Sequence, residues 1–192
     1  SLKDEMVGHG THVAGIVDLV APSAKIMPLR VLDTEGYGDV FTIAKAISYA
    51  KRNGANVINL SLGSSHRSAM LQEVIKDAIK NGVVVSAAAG NSNTTIPHYP
   101  AAGNGTTAFA DGLVAVTSVD MYAKKSDYAN YGLWVDIAAP GNSIRSAFPV
   151  SMYANWSGTS MATPFISGQA ALIHAVYSSL DPMGVEMKIR NS

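Results

Sequence analysis

The sequence predicts an α/β protein with three layers, in which helices cover both faces of a mainly parallel central sheet. Strand and helix patterns alternate along the first half of the 192 residues, the order that builds parallel sheets with right-handed crossovers. Residues 83–89 are almost wholly apolar, as expected for a strand buried on both faces. Hydrophobic residues make up 47% of the chain and charged residues 15%, which suits a single domain with a large core and argues against disorder.

The first half of the chain alternates predicted strands with predicted helices. Residues 24–32 are typical of a strand, and residues 57–62 of a short strand that ends at Gly63. Apolar residues at the spacing i, i+3, i+4, i+7 predict helices over residues 43–50 and 71–79. An Asn-Gly pair follows each helical pattern and is expected to end it.

The second half of the chain predicts further strands and one long helix. We expect strands at residues 113–119 and 134–139, and a hairpin within residues 143–157. A long helix is predicted from about Thr159 to Leu180. Pro164 falls within the first turns of this helix, where its missing N–H costs least.

Charge and composition narrow the class of function. Fourteen basic residues balance fourteen acidic ones, and the chain has no long basic run. We therefore expect no binding to nucleic acid or to an anionic membrane. No apolar stretch reaches the roughly 18–20 residues that a membrane span needs. The absence of cysteine excludes disulfides and thiol catalysis and leaves the compartment open.

Ser160 is the leading candidate for a reactive residue. It lies in the run Gly-Thr-Ser-Met-Ala-Thr-Pro at residues 158–164, where the long helix is predicted to begin. A serine hydroxyl becomes a useful nucleophile when a base takes its proton and a dipole stabilises the charge that develops. The N–H groups of a helix N-terminus supply such a dipole. His9, in the run Gly-His-Gly-Thr-His-Val-Ala-Gly at residues 8–15, is the candidate base, so acyl transfer is the leading hypothesis.

Three glycine-containing segments follow predicted strands and mark the candidate ligand site. They are residues 32–38, 61–63 and 88–91. Ligands of such sheets gather at the carboxyl ends of the strands. Glycine lets another backbone approach closely, so we expect an extended peptide to lie there as an added strand.

These motifs together resemble the subtilisin-like serine protease family, the subtilases. The order and spacing of the motifs agree with the family, and the resemblance covers about residues 8–180. It implies a subtilisin-like fold and a serine endopeptidase that works through an acyl-enzyme. The matching motifs are residues 8–15, 57–63, 88–91 and 158–164.

The resemblance also implies a role for each matching residue. His9 would act as general base and later return the proton to the leaving amine, and Ser160 would be the nucleophile. Asn91 would donate its side-chain amide to the oxyanion, together with the backbone N–H of Ser160.

By the same resemblance, two pairs of segments would bind an extended peptide or protein substrate. The substrate strand would run between Gly36-Tyr37-Gly38 and Ser61-Leu62-Gly63. The specificity pocket would be walled by residues 61–63 and by Ala88, Ala89 and Gly90. His98 matches a position near the pocket floor, where well-known members carry a small residue, so it would make the pocket shallower or more polar.

The family orders its triad Asp, His, Ser, and the expected aspartate lies well upstream of the histidine. We therefore expect residues 1–192 to form a partial catalytic domain, truncated at its N-terminus and also at its C-terminus, that alone is inactive or very weak. Asp4 and Glu5 lie only five and four residues before His9, and we assign the role to neither of them.

The resemblance bears on cofactors and on localisation as well. Many members carry a longer loop at the position of Val17–Pro22 that binds calcium tightly, so we expect no cofactor and no tight calcium loop here, while a weaker calcium site elsewhere stays open. Family resemblance also implies a secreted or extracytoplasmic protein.

Other readings of the same residues remain. His9 and His12 have a spacing that can ligate a metal, but no third ligand is evident, and we expect His12 to pack or to hydrogen-bond within its helix. A catalytically inactive, peptide-binding relative of the family is the main alternative function. An α/β hydrolase would need Gly-x-Ser-x-Gly with its histidine after the serine, which this chain lacks.

Overall fold

A computed structural model describes residues 6–103 and 111–192. These residues form five helices and six strands. In chain order the elements are α1 (His9–Val20), α2 (Val40–Arg52), β1 (Val57–Leu60), α3 (Ala69–Lys80), β2 (Val84–Ala88), β3 (Leu113–Val119), β4 (Ile137–Pro140), β5 (Ile144–Phe148), β6 (Met152–Trp156), α4 (Thr159–Val176) and α5 (Pro182–Arg190).

The main sheet is parallel throughout, which confirms the predicted fold class. Its four strands lie in the order β1-β2-β3-β4. Strands β5 and β6 form a separate antiparallel hairpin, in which Ile144 lies opposite Trp156, as predicted for residues 143–157. The β1–α3–β2 unit is a crossover whose helix covers one face of the sheet.

Side chains from both faces of the sheet are buried, and this creates the three layers. Val85 points into a core shared with helices α2 and α3, where Ile47 and Ile75 are buried. Val84, the preceding residue, points into a second core with α4 and α5. Because successive strand residues face opposite sides, burial of both faces requires the continuous apolar run that the sequence shows.

Helices α2 and α3 end where the sequence predicts, and each begins at a capping side chain about one turn before the predicted apolar pattern. The carboxylate of Asp39 accepts a hydrogen bond from the N–H of Thr42, at 2.9 Å, and caps the start of α2. The hydroxyl of Ser68 caps α3 in the same way. Each helix ends at an asparagine followed by a glycine with positive φ, +79° at Gly54 and +89° at Gly82.

The predicted strand over residues 24–32 is wrong. The segment is irregular and pairs with no strand among the described residues. Its apolar side chains Ile26, Met27 and Leu29 are 37–42% exposed. A strand-like sequence shows only a local preference of the chain, whereas a strand also needs a neighbouring strand to pair with its backbone N–H and C=O groups.

The C-terminal part also differs from the prediction. The long helix ends at Val176 rather than near Leu180, and a further helix, α5, follows. Asp181 caps α5 by accepting a hydrogen bond from the N–H of Gly184, and Pro182 occupies its first position. Asp181 and Pro182 are ordinary signals for the start of a helix. The helix after them has only nine residues, so its apolar pattern is too short to predict it from the sequence.

A buried acidic group joins α5 to the sheet. The side chain of Asp136 is 4% exposed and that of Glu186 is fully buried. Asp136 accepts a hydrogen bond from the N–H of Ala115, at 2.7 Å, and Arg190 lies 3.4 Å from each carboxylate. The pKa of Asp136 is raised to about 7, chiefly by burial and to a lesser extent by the charge of Glu186, against the lowering effect of the Ala115 hydrogen bond.

This acidic group predicts a pH-dependent stability. Folded Asp136 keeps its proton to about pH 7, whereas the unfolded chain releases it near its ordinary value of 3.8. The folded state therefore binds more protons in this window, so the free energy of unfolding falls as pH rises, by at most about 1.4 kcal/mol per pH unit for one proton. Asp136→Asn keeps an acceptor for Ala115 and should flatten that slope in urea unfolding of the full chain. Asp127→Asn, at an exposed position, is the matched control, and equal slopes in all three proteins would contradict the assignment.

Candidate active site

Ser160 is the second residue of α4, so the predicted position of this serine at a helix start is confirmed. The first N–H groups of a helix have no partner within the helix. In α4 the N–H of Thr159 is bonded to the side chain of Asn91, at 2.9 Å. The N–H of Ser160 is the next in the same turn, and it lies where the helix dipole is positive.

The side chain of Asn91 is held in one orientation. Its Oδ1 accepts hydrogen bonds from both the N–H and the hydroxyl of Thr159, at 2.9 and 3.0 Å. The amide nitrogen Nδ2 is thereby turned toward Gly158, where an added Cβ would lie 3.4 Å from it. The Asn91 amide and the Ser160 backbone thus present two donors at one helix N-terminus, the arrangement that stabilises an oxyanion.

Two residues that the sequence did not single out as site residues support this arrangement. The buried hydroxyl of Thr159 also accepts a hydrogen bond from the N–H of Gly90, at 3.0 Å. The buried amide of Asn130 donates to the carbonyl of Ala89, at 2.8 Å, and accepts from the N–H of Ser92. Thr159 could have been found from its place beside Ser160, whereas Asn130 lies in no motif.

A second set of hydrogen bonds ties the end of β1 to α4. The hydroxyl of Ser61 donates to the carbonyl of Ser160, at 2.8 Å, and the hydroxyl of Ser160 donates to the carbonyl of Ser61, at 3.4 Å. Asn59 donates to the Ser61 hydroxyl and accepts from that of Ser167. Ser160 is therefore fixed to the sheet through its own backbone.

His9 is the first residue of α1 and is half-buried. Burial, and secondly the nearness of His12, lower the pKa of the His9 imidazole. The ring is therefore neutral at neutral pH and can accept a proton. Its Nε2 is buried without a hydrogen-bond partner among the described residues, which is unusual for a buried polar atom outside a functional site.

The structure places His9 and Ser160 at the starts of two packed helices. Val13, one turn after His9, and Ile16 pack against Met161, which follows Ser160. Within the described residues, however, the Ser160 hydroxyl is bonded to Ser61 and not to His9. The candidate base and the candidate nucleophile therefore lie on packed helices without a hydrogen bond between them, and such bonds are often long or poorly aligned in enzymes before substrate binds.

His12 packs in the interior, as one of the two predicted possibilities, but its hydrogen bonds lie outside its own helix. Its Nε2 lies 3.1 Å from the carbonyls of both Ile144 and Ala154, in the β5–β6 hairpin. Its ring stacks on Trp156 with the centroids 5.3 Å apart. The Trp156 ring also lies near His9, with the two ring centroids 6.0 Å apart.

The predicted substrate segments lie at different places on the fold. Ser61-Leu62-Gly63 directly follows β1, and Ala88-Ala89-Gly90 closes β2, so both lie at carboxyl ends of parallel strands. Gly36-Tyr37-Gly38 forms part of a turn in which Asp33 accepts hydrogen bonds from two N–H groups. Tyr37 is 72% exposed. The first two segments therefore lie side by side at the ends of adjacent strands, and the third is an exposed loop.

Metal ligation finds no support at this site. The described residues contain no group of three or more His, Asp or Glu side chains that could hold a metal ion. Asp4 and Glu5 lie outside the described residues.

Among the helices of the described residues, none is long and apolar enough to cross a membrane.

These features define an α/β protein with a serine nucleophile candidate beside two oxyanion donors and a neutral histidine. Residues 1–192 match the family model described as the Subtilase family of peptidases. The chain is 44% identical to thermitase of Thermoactinomyces vulgaris over 86% of its length, and 39% identical to Subtilisin BL of Lederbergia lenta over 96%. The protein belongs to the subtilase family.

A solved structure supports the same assignment. A cold adapted subtilisin-like serine proteinase superposes with a TM-score of 0.84 at 34% identity, covering 96% of this chain and 67% of that one. The predicted subtilisin-like fold is thereby confirmed. The chain spans 61% of the length of thermitase and 68% of that of Subtilisin BL.

The contact between Trp156 and His9 leads to a testable prediction. Trp156→Ala removes a ring that helps to exclude water from His9, so the pKa of His9 should rise toward its ordinary value of 6.5. An NMR titration of the histidine ring protons in the full chain measures this. Tyr153→Ala, on the same strand but 68% exposed, should leave the His9 titration unchanged. An unaltered His9 titration in the Trp156 variant would contradict the role of the ring.

Proposed function

We propose that the protein is a serine endopeptidase that cleaves peptide bonds through an acyl-enzyme. The observation that carries this proposal is the anchored amide of Asn91 beside the N–H of Ser160. Two preorganised donors at a nucleophile are useful when negative charge develops on a carbonyl oxygen. Membership of the subtilase family supports the same activity.

The proposed reaction starts with His9 and Ser160. Nε2 of His9 takes the hydroxyl proton as Ser160 Oγ attacks the peptide carbonyl. The carbonyl electrons move to oxygen, which accepts hydrogen bonds from Asn91 Nδ2 and the Ser160 N–H. The C–N bond then breaks, and His9 delivers its proton to the leaving amine. Water, deprotonated by His9, hydrolyses the acyl-enzyme in the same manner.

The proposed substrate is a peptide or protein segment in an extended conformation. Gly63, just after the end of β1, is exposed, so a peptide can add a strand beside residues 61–63. Gly36-Tyr37-Gly38 is proposed as the opposite edge. The balanced net charge of the chain disfavours nucleic acid as a partner. An extracytoplasmic location and the absence of a tight calcium loop are proposed on family resemblance.

The triad carboxylate stays a prediction. Family resemblance expects an aspartate upstream of His9 that holds the imidazole in the right tautomer. None of the ion pairs among the described residues involves His9. Without that carboxylate His9 would still act as a base, but more slowly. In subtilisin, a member of this family, loss of the triad aspartate alone lowers kcat by about 10⁴-fold.

One observation favours the alternative of a non-catalytic peptide-binding protein. The Ser160 hydroxyl donates to the Ser61 carbonyl, at 3.4 Å, and not to His9. A bond of that length is weak, so a substrate that displaces it could free the hydroxyl for His9. Chemical reactivity at Ser160 decides between the two functions.

A peptidyl phosphonate with a good leaving group tests the reactivity of Ser160. The full-length protein should be labelled at Ser160, as located by mass spectrometry, because the phosphonate oxygen mimics the oxyanion at Asn91. Ser160→Ala should abolish labelling. Ser157→Ala, a nearby serine whose hydroxyl caps the N–H of Ser143, is the control and should still be labelled. Binding of the peptide without labelling would favour the non-catalytic alternative.

Asn91 provides a second test of the mechanism. Asn91→Ala should lower kcat by roughly 10²–10³-fold, the range measured in subtilisin, with little change in KM. Asn91→Asp keeps the acceptor that Thr159 holds but replaces the donating amide by a carboxylate oxygen, so its kcat should fall at least as far. Peptide hydrolysis kinetics measure both variants. Equal changes in kcat and KM, or an active Asn91→Asp variant, would show that Asn91 is not the oxyanion donor.

A further inference from the structure

The loop that carries Asn91 belongs to no helix or strand. Residues 91–93, the donor loop, follow β2 and are exposed to solvent. Asn93, at the end of this loop, has a φ of +47°, a conformation that asparagine adopts more readily than most residues. Because a displacement of about 1 Å at a catalytic group can cost about 10²-fold in rate, an oxyanion donor on such a loop needs contacts that hold the loop in place.

The segment that faces the donor loop bonds to it on both sides of Asn91. After Asn91, the N–H of Asn93 donates to the carbonyl of Tyr128, at 2.8 Å. Before Asn91, the carbonyl of Gly90 accepts from the N–H of Asn130, at 3.0 Å. The position of Asn91 therefore depends on the conformation of the facing segment.

Lys125 lies where the donor loop meets the facing segment. Its ammonium donates to the side-chain oxygen of Asn93, at 2.9 Å, and to the carbonyls of Ser126 and Ala129, at 2.9 and 3.1 Å. The ring of Tyr131 lies beside it, with Nζ 5.1 Å from the ring centroid. The first of these bonds reaches the donor loop, and the other two hold the facing segment in its turn.

These contacts use the whole bonding capacity of the ammonium group. An ammonium has three N–H donors, and Lys125 has three protein oxygens within hydrogen-bond distance. Hydrogen bonds from a charged donor are stronger than neutral ones, and a nearby ring face adds to the attraction. The next lysine, Lys124, is exposed, and its side chain takes part in none of the hydrogen bonds or ion pairs of the described residues. Lys125 therefore differs from an ordinary surface lysine, whose charge stays in water.

We propose that Lys125 is a positioning residue, whose ammonium joins the donor loop to the facing segment and thereby holds Asn91 in place for the oxyanion. Lys125 acts through Asn91 and not on the substrate. The hydrogen bond from Thr159 orients the Asn91 side chain, whereas the bonds of Lys125 fix the backbone that carries it. This inference rests on the proposed peptidase function of the same site.

Lys125→Met in the full-length protein tests the proposal, because methionine keeps most of the apolar side chain and removes all three donors. Without the tether, Asn91 leaves the oxyanion position more often. We therefore expect kcat to fall by about tenfold, a part of the roughly 10²–10³-fold that loss of the whole donor costs in subtilisin. KM should change by less than about twofold, because Asn91 acts on the transition state. Lys124→Met is the matched control and should hydrolyse peptides like the unaltered protein.

Two substitutions of Asn93 test the same contact from the side of the donor loop. Asn93→Gly accepts the positive φ and removes the oxygen that Lys125 binds, so its kcat should fall as in Lys125→Met. Asn93→Asp keeps an oxygen for the ammonium and should lose less activity. This exposed pair carries the test if Lys125→Met does not fold.

A double-mutant cycle separates positioning from general stability. In an Asn91→Ala protein the donor is already absent, so adding Lys125→Met or Asn93→Gly should change kcat by less than about twofold. An equal loss in both backgrounds, a change in KM instead of kcat, or an Asn93→Asp variant as impaired as Asn93→Gly overturns the inference while leaving the peptidase function intact. Absence of both hydrolysis and phosphonate labelling at Ser160 in the unaltered protein overturns both proposals.

Discussion

The attachment of the α4 N-terminus to the ends of β1 and β2 is the interaction on which the rest of the site depends. Thr159 binds Gly90 and Asn91, while Ser61 and Ser160 exchange hydrogen bonds. Each bond joins segments that lie far apart in sequence. Because they converge on one helical turn, the candidate nucleophile, the candidate oxyanion donors and the ends of β1 and β2 keep a common geometry, and preorganisation of this kind lowers the cost of reaching a transition state.

Most buried polar groups around this turn are hydrogen-bonded, and the few unpaired ones are informative. Asn59, Ser61 and Ser167 form a connected chain of hydrogen bonds beneath the site. By contrast, Nε2 of His9, Nδ1 of His12 and Oγ of Ser86 are buried without partners among the described residues. An unpaired buried group costs roughly 1–3 kcal/mol. For His9 that cost is consistent with an atom kept free to take a proton, whereas no such role is evident for His12 or Ser86.

Sequence reasoning succeeded where the determinants are local. The Asn-Gly stops after α2 and α3, the apolar run of β2 and the serine at the start of α4 all depend on neighbouring residues. It failed at residues 24–32 because strand formation needs a partner, and it did not find the hydrogen bonds of His12, because these reach the distant β5–β6 hairpin. Asn130 was missed for the same reason, since it acts on residues about forty positions away.

The sequence alone determined the subtilase family, the α/β class and the identities of His9, Asn91 and Ser160 as candidates, because motif chemistry and hydrophobic periodicity are properties of contiguous residues. Only the tertiary structure decided how those candidates are oriented. It turned the Asn91 amide by bonding its oxygen to Thr159, desolvated His9 against Trp156, and placed His98 between Gly63 and Gly90. Orientation and burial depend on contacts between distant segments, which no local pattern records.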